Sequence, residues 1–343
     1  MTMRINARSI PLVILFLFII LAGFVSGLFF YHYYLPHPSA DFEGQTRYLL
    51  VRAGDNIEKI ADNLEEMGAI SSKSIFVFFS RLLNKDRLMK AGRYAIKPNS
   101  SLAYIVGRIT RGESTPFDIT IPEGYTISQI ANLLESSVEA DMTEFRAAVT
   151  DPKLIDSLGI RAKNLEGYLA PSTYNVYFCE NPRRIINRMA AHFFNSLPDS
   201  FEAKARRLGL TFHQAVTLAS LIEKEAMLDS ERPIISAVYL NRLRRGMKLD
   251  CDPTVIYAMG GLDRRLLRGD LDYDSPYNTY LYPGLPPGPI ANPGVKSLEA
   301  AVEPAPVGYL YFVARGNGSH IFSLTLDDHI NAIQRIKRLN GHG

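Results

Sequence analysis

Cysteine is scarce in this chain: 343 residues contain only Cys179 and Cys251. That is too few for a disulfide scaffold or a thiolate metal cage, and it leaves no redox cofactor held by thiolates. A surplus of one charge is also missing. Lys and Arg number 38 against 35 Asp and Glu, a net of +3, so no electrostatic footprint for nucleic acid is present. No P-loop, dinucleotide fingerprint, GxSxG elbow or HExxH occurs. His213, His320 and His329 stand alone and read as structural or surface histidines, so neither metal nor cofactor is implied. Composition is that of a globular chain, 47% apolar and 21% charged, which argues against wholesale disorder. The length allows two domains and an appendage.

Charge disappears altogether between Ile10 and Tyr31. About 20 apolar residues, each rising ~1.5 Å, cross a ~30 Å hydrocarbon core. Arg4 and Arg8 precede the run, while Tyr31, Tyr33 and Tyr34 close it. Basic residues stay cytoplasmic and tyrosines sit at headgroup level. The pattern predicts a single-pass anchor over residues 10–34, with 1–9 in the cytoplasm and the body outside. A cleaved signal peptide is the rival reading, with a weak site at Ser26 and Gly27. Ala22-Gly23-Phe24 resembles a lipoprotein box but has Phe where Cys is required. Outside the cytoplasm the two thiols can pair, yet nothing local brings them together, and two separate buried thiols are expected.

Residues 35–45 read as a tether rich in Pro, Ser and Gly. A small α+β module follows. Tyr48–Val51 is a strand, Gly54 a turn, and Asn56–Met67 a helix with Ile57, Ile60, Ala61 and Leu64 on one face. Ser72–Leu83 is a second helix, Gly92–Ile96 a second strand, and a further helix starts at Ser100. VRAGDNIEKIADNLEE and IPEGYTISQIANLLES then align position for position, an internal echo of one strand–turn–helix unit. Beyond residue 160 helices are expected at Arg183–Leu197, Phe201–Leu208, Phe212–Met227 and Pro233–Arg245. The stretch Asp272–Gly294 carries six prolines, and so long a loop in a compact domain is usually functional. Tyr309–Ser323 reads as a hairpin around Gly316-Asn317-Gly318.

One helix holds the sharpest chemical signal. In Leu218–Ala226, at 100° per residue, Glu225 falls on the face of Leu218, Leu221 and Ile222, and Glu223 on another with Val216, Ala219 and Ser220. An apolar stripe that runs into a carboxylate desolvates it, which favours the neutral, proton-donating form. A helix end where both glutamates are plain surface charges satisfies the same periodicity. Both readings stand at this point.

Seven phrases carry a family resemblance: Leu165–Tyr174 (LEGYLAPSTY), ASLIEKEA, Val238–Leu243 (VYLNRL), Asp252–Tyr257 (DPTVIY), Ser275–Tyr280 (SPYNTY), Gly284–Gly294 (GLPPGPIANPG) and Tyr309–Ser323. In this order and spacing the chain resembles the endolytic murein transglycosylases, the YceG-like family. The resemblance implies an α+β chain with a LysM-like module at 46–115 and a catalytic domain over 116–343. It implies an enzyme on the outer side of the bacterial cytoplasmic membrane that cuts nascent peptidoglycan strands, with peptidoglycan synthases as natural partners. The family's catalytic acid is the second Glu of EKE, here Glu225. The chain departs from the family's phrases at Ala170, Ser172, Asp250 and Cys251.

On this resemblance Glu225 opens the bond between N-acetylmuramic acid and N-acetylglucosamine and leaves a 1,6-anhydro end. Tyr168, Asp252, Tyr277, Asn278, Thr279 and Tyr280 are the expected glycan-binding groups, with Glu223 and Glu166 in support. The same tyrosines also read as loop packing, and Asp252-Pro253-Thr254 as a helix N-cap. Two other functions remain open: a muramidase whose second carboxylate is Asp252 or Glu166, and a silent glycan-binding module that recruits cell-wall synthases.

Overall fold

The computed structural model describes residues 10–37, 44–138 and 142–340; the expected tail 1–9 and most of the 35–45 tether lie outside them. The described residues form two units. Met1–Phe117 with Asn175–Cys179 is the first, and Asp118–Tyr174 with Glu180–Gly343 the second.

The first unit begins with α1 (Ile10–Tyr34), whose apolar side chains are exposed along almost its whole length. It continues through β1 (Arg47–Val51), α2 (Ile57–Glu66), α3 (Lys73–Leu82), β2 (Gly92–Ile96) and α4 (Leu102–Arg111). β1 and β2 pair antiparallel with Leu49 opposite Tyr94. Local chemistry sets the helix ends. Asn56 caps α2 by accepting the Lys59 N–H at 2.8 Å, and Ser72 and Ser101 cap α3 and α4. α4 stops at Gly112, whose φ of +73° suits a residue without Cβ. The faces of the helices then close on one core containing Leu49, Ile60, Leu64, Phe76, Tyr94 and Ile105. Tyr33, at the end of α1, belongs to that core at 3% exposure.

The second unit contains most of β3 (Phe117–Ile121) and of its partner strand β4 (Ser172–Val176), and the helices α5 (Ile127–Val138), α6 (Met142–Ala148), α7 (Pro152–Ser157), α8 (Pro182–Asn195) and α9 (Phe201–Arg207). The internal echo is real in three dimensions. Gly54 and Gly124 both turn at positive φ, and Val51, Ile60, Ala61 and Leu64 are buried like their counterparts Ile121, Ile130, Ala131 and Leu134. After α10 (Phe212–Glu225) come α11 (Arg232–Arg244), α12 (Asp252–Ala258) and α13 (Val295–Val302). The hairpin of β5 (Tyr311–Ala314) and β6 (His320–Ser323) and a final helix, α14 (Leu326–Asn340), complete the unit.

α10 is the centre of this unit. A reciprocal capping box between Thr211 and Gln214 starts it, and every residue from Ala215 to Ile222 is buried. Sequence periodicity carries it on to Met227; the chain instead leaves the helix at Ala226, whose φ and ψ of −81° and 121° are extended. Glu225 is therefore the last helical residue. Both cysteines are free thiols; Cys251 is buried, whereas Cys179, expected to be buried, is only partly so.

Candidate active site

The Glu225 carboxyl projects from the C-terminal turn of α10 and is half-buried. Two buried donors from other elements meet it. The Tyr239 hydroxyl, from the middle of α11, donates to Oε1 at 3.3 Å, and the Cys251 thiol, one residue ahead of α12, donates to the same oxygen at 3.3 Å. Among the described residues no hydrogen bond reaches Oε2. Burial raises the pKa of Glu225, the Asp252 charge raises it further, and the Cys251 and Tyr239 donors pull against them. The partial negative charge at a helix C-terminus also disfavours a carboxylate there. Burial pushes the Cys251 thiol and the Tyr239 hydroxyl well above their usual ranges, so both keep their protons as donors. Burial and the Asp252 charge thus bias the carboxyl toward its protonated form, with both donors on Oε1 and, among the described residues, none on Oε2.

The loop expected to be functional builds this corner. Thr279 accepts the Cys251 N–H at 3.0 Å and pairs with Thr254 at 3.0 Å, which fixes the backbone behind the thiol. Asn278 is fully buried; its amide donates to the carbonyls of Leu271 and Tyr273 at 2.8 Å each and its Oδ1 accepts the Tyr280 N–H. The loop so folded brings the Tyr280 hydroxyl to Asp252 Oδ1 at 2.5 Å. Asp252 is not the helix cap suggested by Asp-Pro-Thr. Cys251 occupies that position, and Asp252 is the first helical residue with its carboxylate exposed. Tyr277 stands further along, its ring 5.1 Å from that of Tyr257.

Other predicted residues lie elsewhere. Tyr168 is buried, with its hydroxyl 2.7 Å from His213 Nδ1 and its ring against Phe193. It packs the interior and presents no face to a glycan. Glu223 is not a surface charge: its side chain is 6% exposed, pairs with Arg232 at 3.2 Å and accepts the Gly294 N–H at 2.9 Å. It ties α10 to the start of α13. Glu166, 4% exposed, accepts from the Ile127 N–H, the Asn292 amide and the Tyr257 hydroxyl at 3.0, 3.1 and 3.2 Å. Burial pushes its pKa up to about 7. These three bonds join α5, α12 and the 284–294 loop, a bracing role.

Tyr239 and the Glu231–His320 pair, with Nδ1 at 2.7 Å from Oε2, are contacts that no sequence signal singled out. Among the described residues no group of three or more His, Cys, Asp or Glu side chains is placed to hold a metal ion.

Comparison with known proteins agrees with the seven phrases. The model of the YceG-like family matches residues 49–335. An endolytic murein transglycosylase of Bacillus subtilis (strain 168) is 32% identical over 326 residues, covering 91% of this chain and 90% of that protein. A protein of the same name from Streptococcus pneumoniae serotype 2 is 30% identical over 335 residues, 88% of this chain but 60% of its own length. The crystal structure of a yceG-like protein from Listeria monocytogenes matches with a TM-score of 0.58 and 34% identity, over 84% of this chain and 99% of that one. The chain belongs to the YceG-like family.

Proposed function

We propose that this chain is an endolytic murein transglycosylase with Glu225 as its catalytic acid. The observation that carries the reading is the Glu225 carboxyl, half-buried at the end of α10 with both donors on Oε1. The B. subtilis relative, matched over 90% of its length, supports the substrate and reaction by its name. Glu225 gives the proton on Oε2 to the oxygen between N-acetylmuramic acid and N-acetylglucosamine as the bond to the anomeric carbon breaks. The resulting carboxylate takes the proton of the muramic acid's 6-hydroxyl while that oxygen closes on the same carbon. The products are a 1,6-anhydro end and a free 4-hydroxyl, no water is consumed, and one carboxyl serves as acid and then base. The two-carboxylate arrangement of ordinary glycosidases is not required.

Tyr280, Asp252 and Tyr277 supply groups for the glycan; Asn278 and Thr279 act through the loop they fold. Residues 46–115 form a LysM-like module and 116–343 the catalytic domain. α1 is a retained anchor in the bacterial cytoplasmic membrane, with residues 1–9 inside, the body outside and cell-wall synthases at hand. The burial of Tyr33 in the core of the module supports retention.

The test is to incubate the full chain and its Glu225→Gln variant with uncrosslinked glycan strands and weigh the products. Internal cuts with anhydro ends that disappear in the variant are expected, a loss of about 10²–10⁴-fold. Ends heavier by one water would make the protein a muramidase. Undiminished cutting by the variant would remove Glu225 from the chemistry.

A further inference from the structure

An apolar surface on the first unit takes no part in the site. Phe78 and Leu82 on α3 are 60% and 54% exposed, and Leu88, shortly beyond the helix, is 56% exposed. Their position relative to α1 gives them meaning. Ser72 and Ile75, at the start of α3, line one crevice with His32 and His37. One turn beyond Ile75, the Phe79 ring lies 5.2 Å from that of Phe29 and 5.6 Å from that of Tyr33. Between Ser72 and Phe79, α3 thus runs back along α1, from the end of the apolar run toward its middle. Leu82 lies a further ~4–5 Å in that direction at ~1.5 Å per residue.

A span of about 20 residues counted from Pro11 ends near Phe30, so Phe29 is within the apolar stretch and Tyr31 to Tyr34 occupy the headgroup level. The part of α3 that touches Phe29 is therefore at the depth where the bilayer begins. We infer that the C-terminal half of α3 rests in the lipid bilayer at the exit of α1, with Phe78 and Leu82 among the acyl chains. This rests on α1 being a retained anchor.

Charge on the same segment suits that occupant. Lys85 and Arg87 follow the apolar residues, while Arg81, between Phe78 and Leu82, is ion-paired with Glu58 of α2; Lys85 Nζ already reaches back to the Tyr33 hydroxyl at 3.4 Å. Long basic side chains lay their stems along apolar surface and bring their heads to phosphate level. Anionic headgroups attract them. The contact is continuous with α1 itself, since Tyr33 is in the core of the module and Pro36 bridges to Ser101. The module thus rides on the membrane surface as a foot fixed to its anchor.

The chain contains no tryptophan, so one substituted indole is the only one in the molecule. Phe18→Trp, Phe78→Trp and Leu82→Trp each replace an exposed side chain and leave the core untouched. Each full chain is placed in phosphatidylcholine–phosphatidylglycerol vesicles with brominated or plain acyl chains, and indole emission is read. Phe18→Trp reports the anchor alone. The inference expects all three indoles to emit at short wavelength and to lose most of their emission to the bromines. Quenching of Phe18→Trp alone, with water-like emission from the two α3 variants, overturns the inference and leaves the anchor standing. Short-wavelength emission from α3 that bromine does not quench means that protein covers this face, which also overturns it. An unquenched Phe18→Trp indole would remove the anchor and the inference together.

Discussion

Glu166 offers a prediction whose size follows from its surroundings. Its carboxyl is buried among three neutral donors with no cation beside it, and its pKa stands at about 7 against an ordinary 4.5. In the unfolded chain the group ionises near the ordinary value, so between these two limits the folded state holds the extra proton. Stability contributed by the protonated form is complete below the unfolded pKa and is lost as pH rises to the folded one. A shift of this size corresponds to about 3 kcal/mol, most of which falls between about pH 5 and 8.5.

Glu166→Gln removes the titration and keeps an acceptor for the Ile127 N–H. The Tyr257 hydroxyl can turn to accept from the new amide. Denaturant unfolding of variant and wild type at both pH values gives the stability difference, in which all other titrating groups cancel. The variant should gain about 2–3 kcal/mol on the wild type between the two pH values, whatever constant offset the new amide introduces. Parallel pH dependences would refute the reasoning, because Glu166 would then ionise like a carboxyl in water.

Two further outcomes are expected. Asp252→Asn removes the charge that raises the pKa of Glu225, so the acid should lose its proton at lower pH. The alkaline limb of the pH–activity profile should move down, with the acceptor to Tyr280 preserved; an unmoved limb would deny the coupling. Gly167→Ala puts a Cβ 2.5 Å from Pro289 and 3.1 Å from Val216 at a φ of +86°. Strain and overpacking together should lower stability by about 3 kcal/mol or more, read as a fall in the thermal midpoint; a change under about 1 kcal/mol would mean that the 284–294 loop yields freely.

Local patterns were legible in the sequence wherever one face of an element is buried. The i, i+3, i+4, i+7 spacing in α2 and its echo in α5 gave both helices and their buried faces, and the same arithmetic put Glu225 below Leu218 and Leu221. What stayed hidden depends on distant parts meeting. Tyr239 sits in α11, where Ile235 to Leu240 are all buried, so no period distinguishes the side that meets the acid. The partners of Glu166 are 39, 91 and 126 positions away. The sequence pattern carries α10 past its end because Ala226 and Met227 are good helix formers, and tertiary structure overrides them. Tyr168 misled for a related reason: a tyrosine near a site serves equally as wall or as filling, and only its contacts tell which.

That both donors hold Oε1 has a consequence for the order of events. In the mechanism proposed above the two oxygens of Glu225 are unequal: Oε1 holds the Tyr239 and Cys251 donors, and Oε2 is where the proton leaves and returns. On that mechanism the glycosidic oxygen and the 6-hydroxyl occupy one point in succession. After the first transfer the departing strand has to clear that point before the muramic acid ring can tip its 6-hydroxyl into it. The rate at which a cut strand slides away then governs how often the ring closes on itself, and a longer strand on the leaving side should slow the closing step more than the opening one.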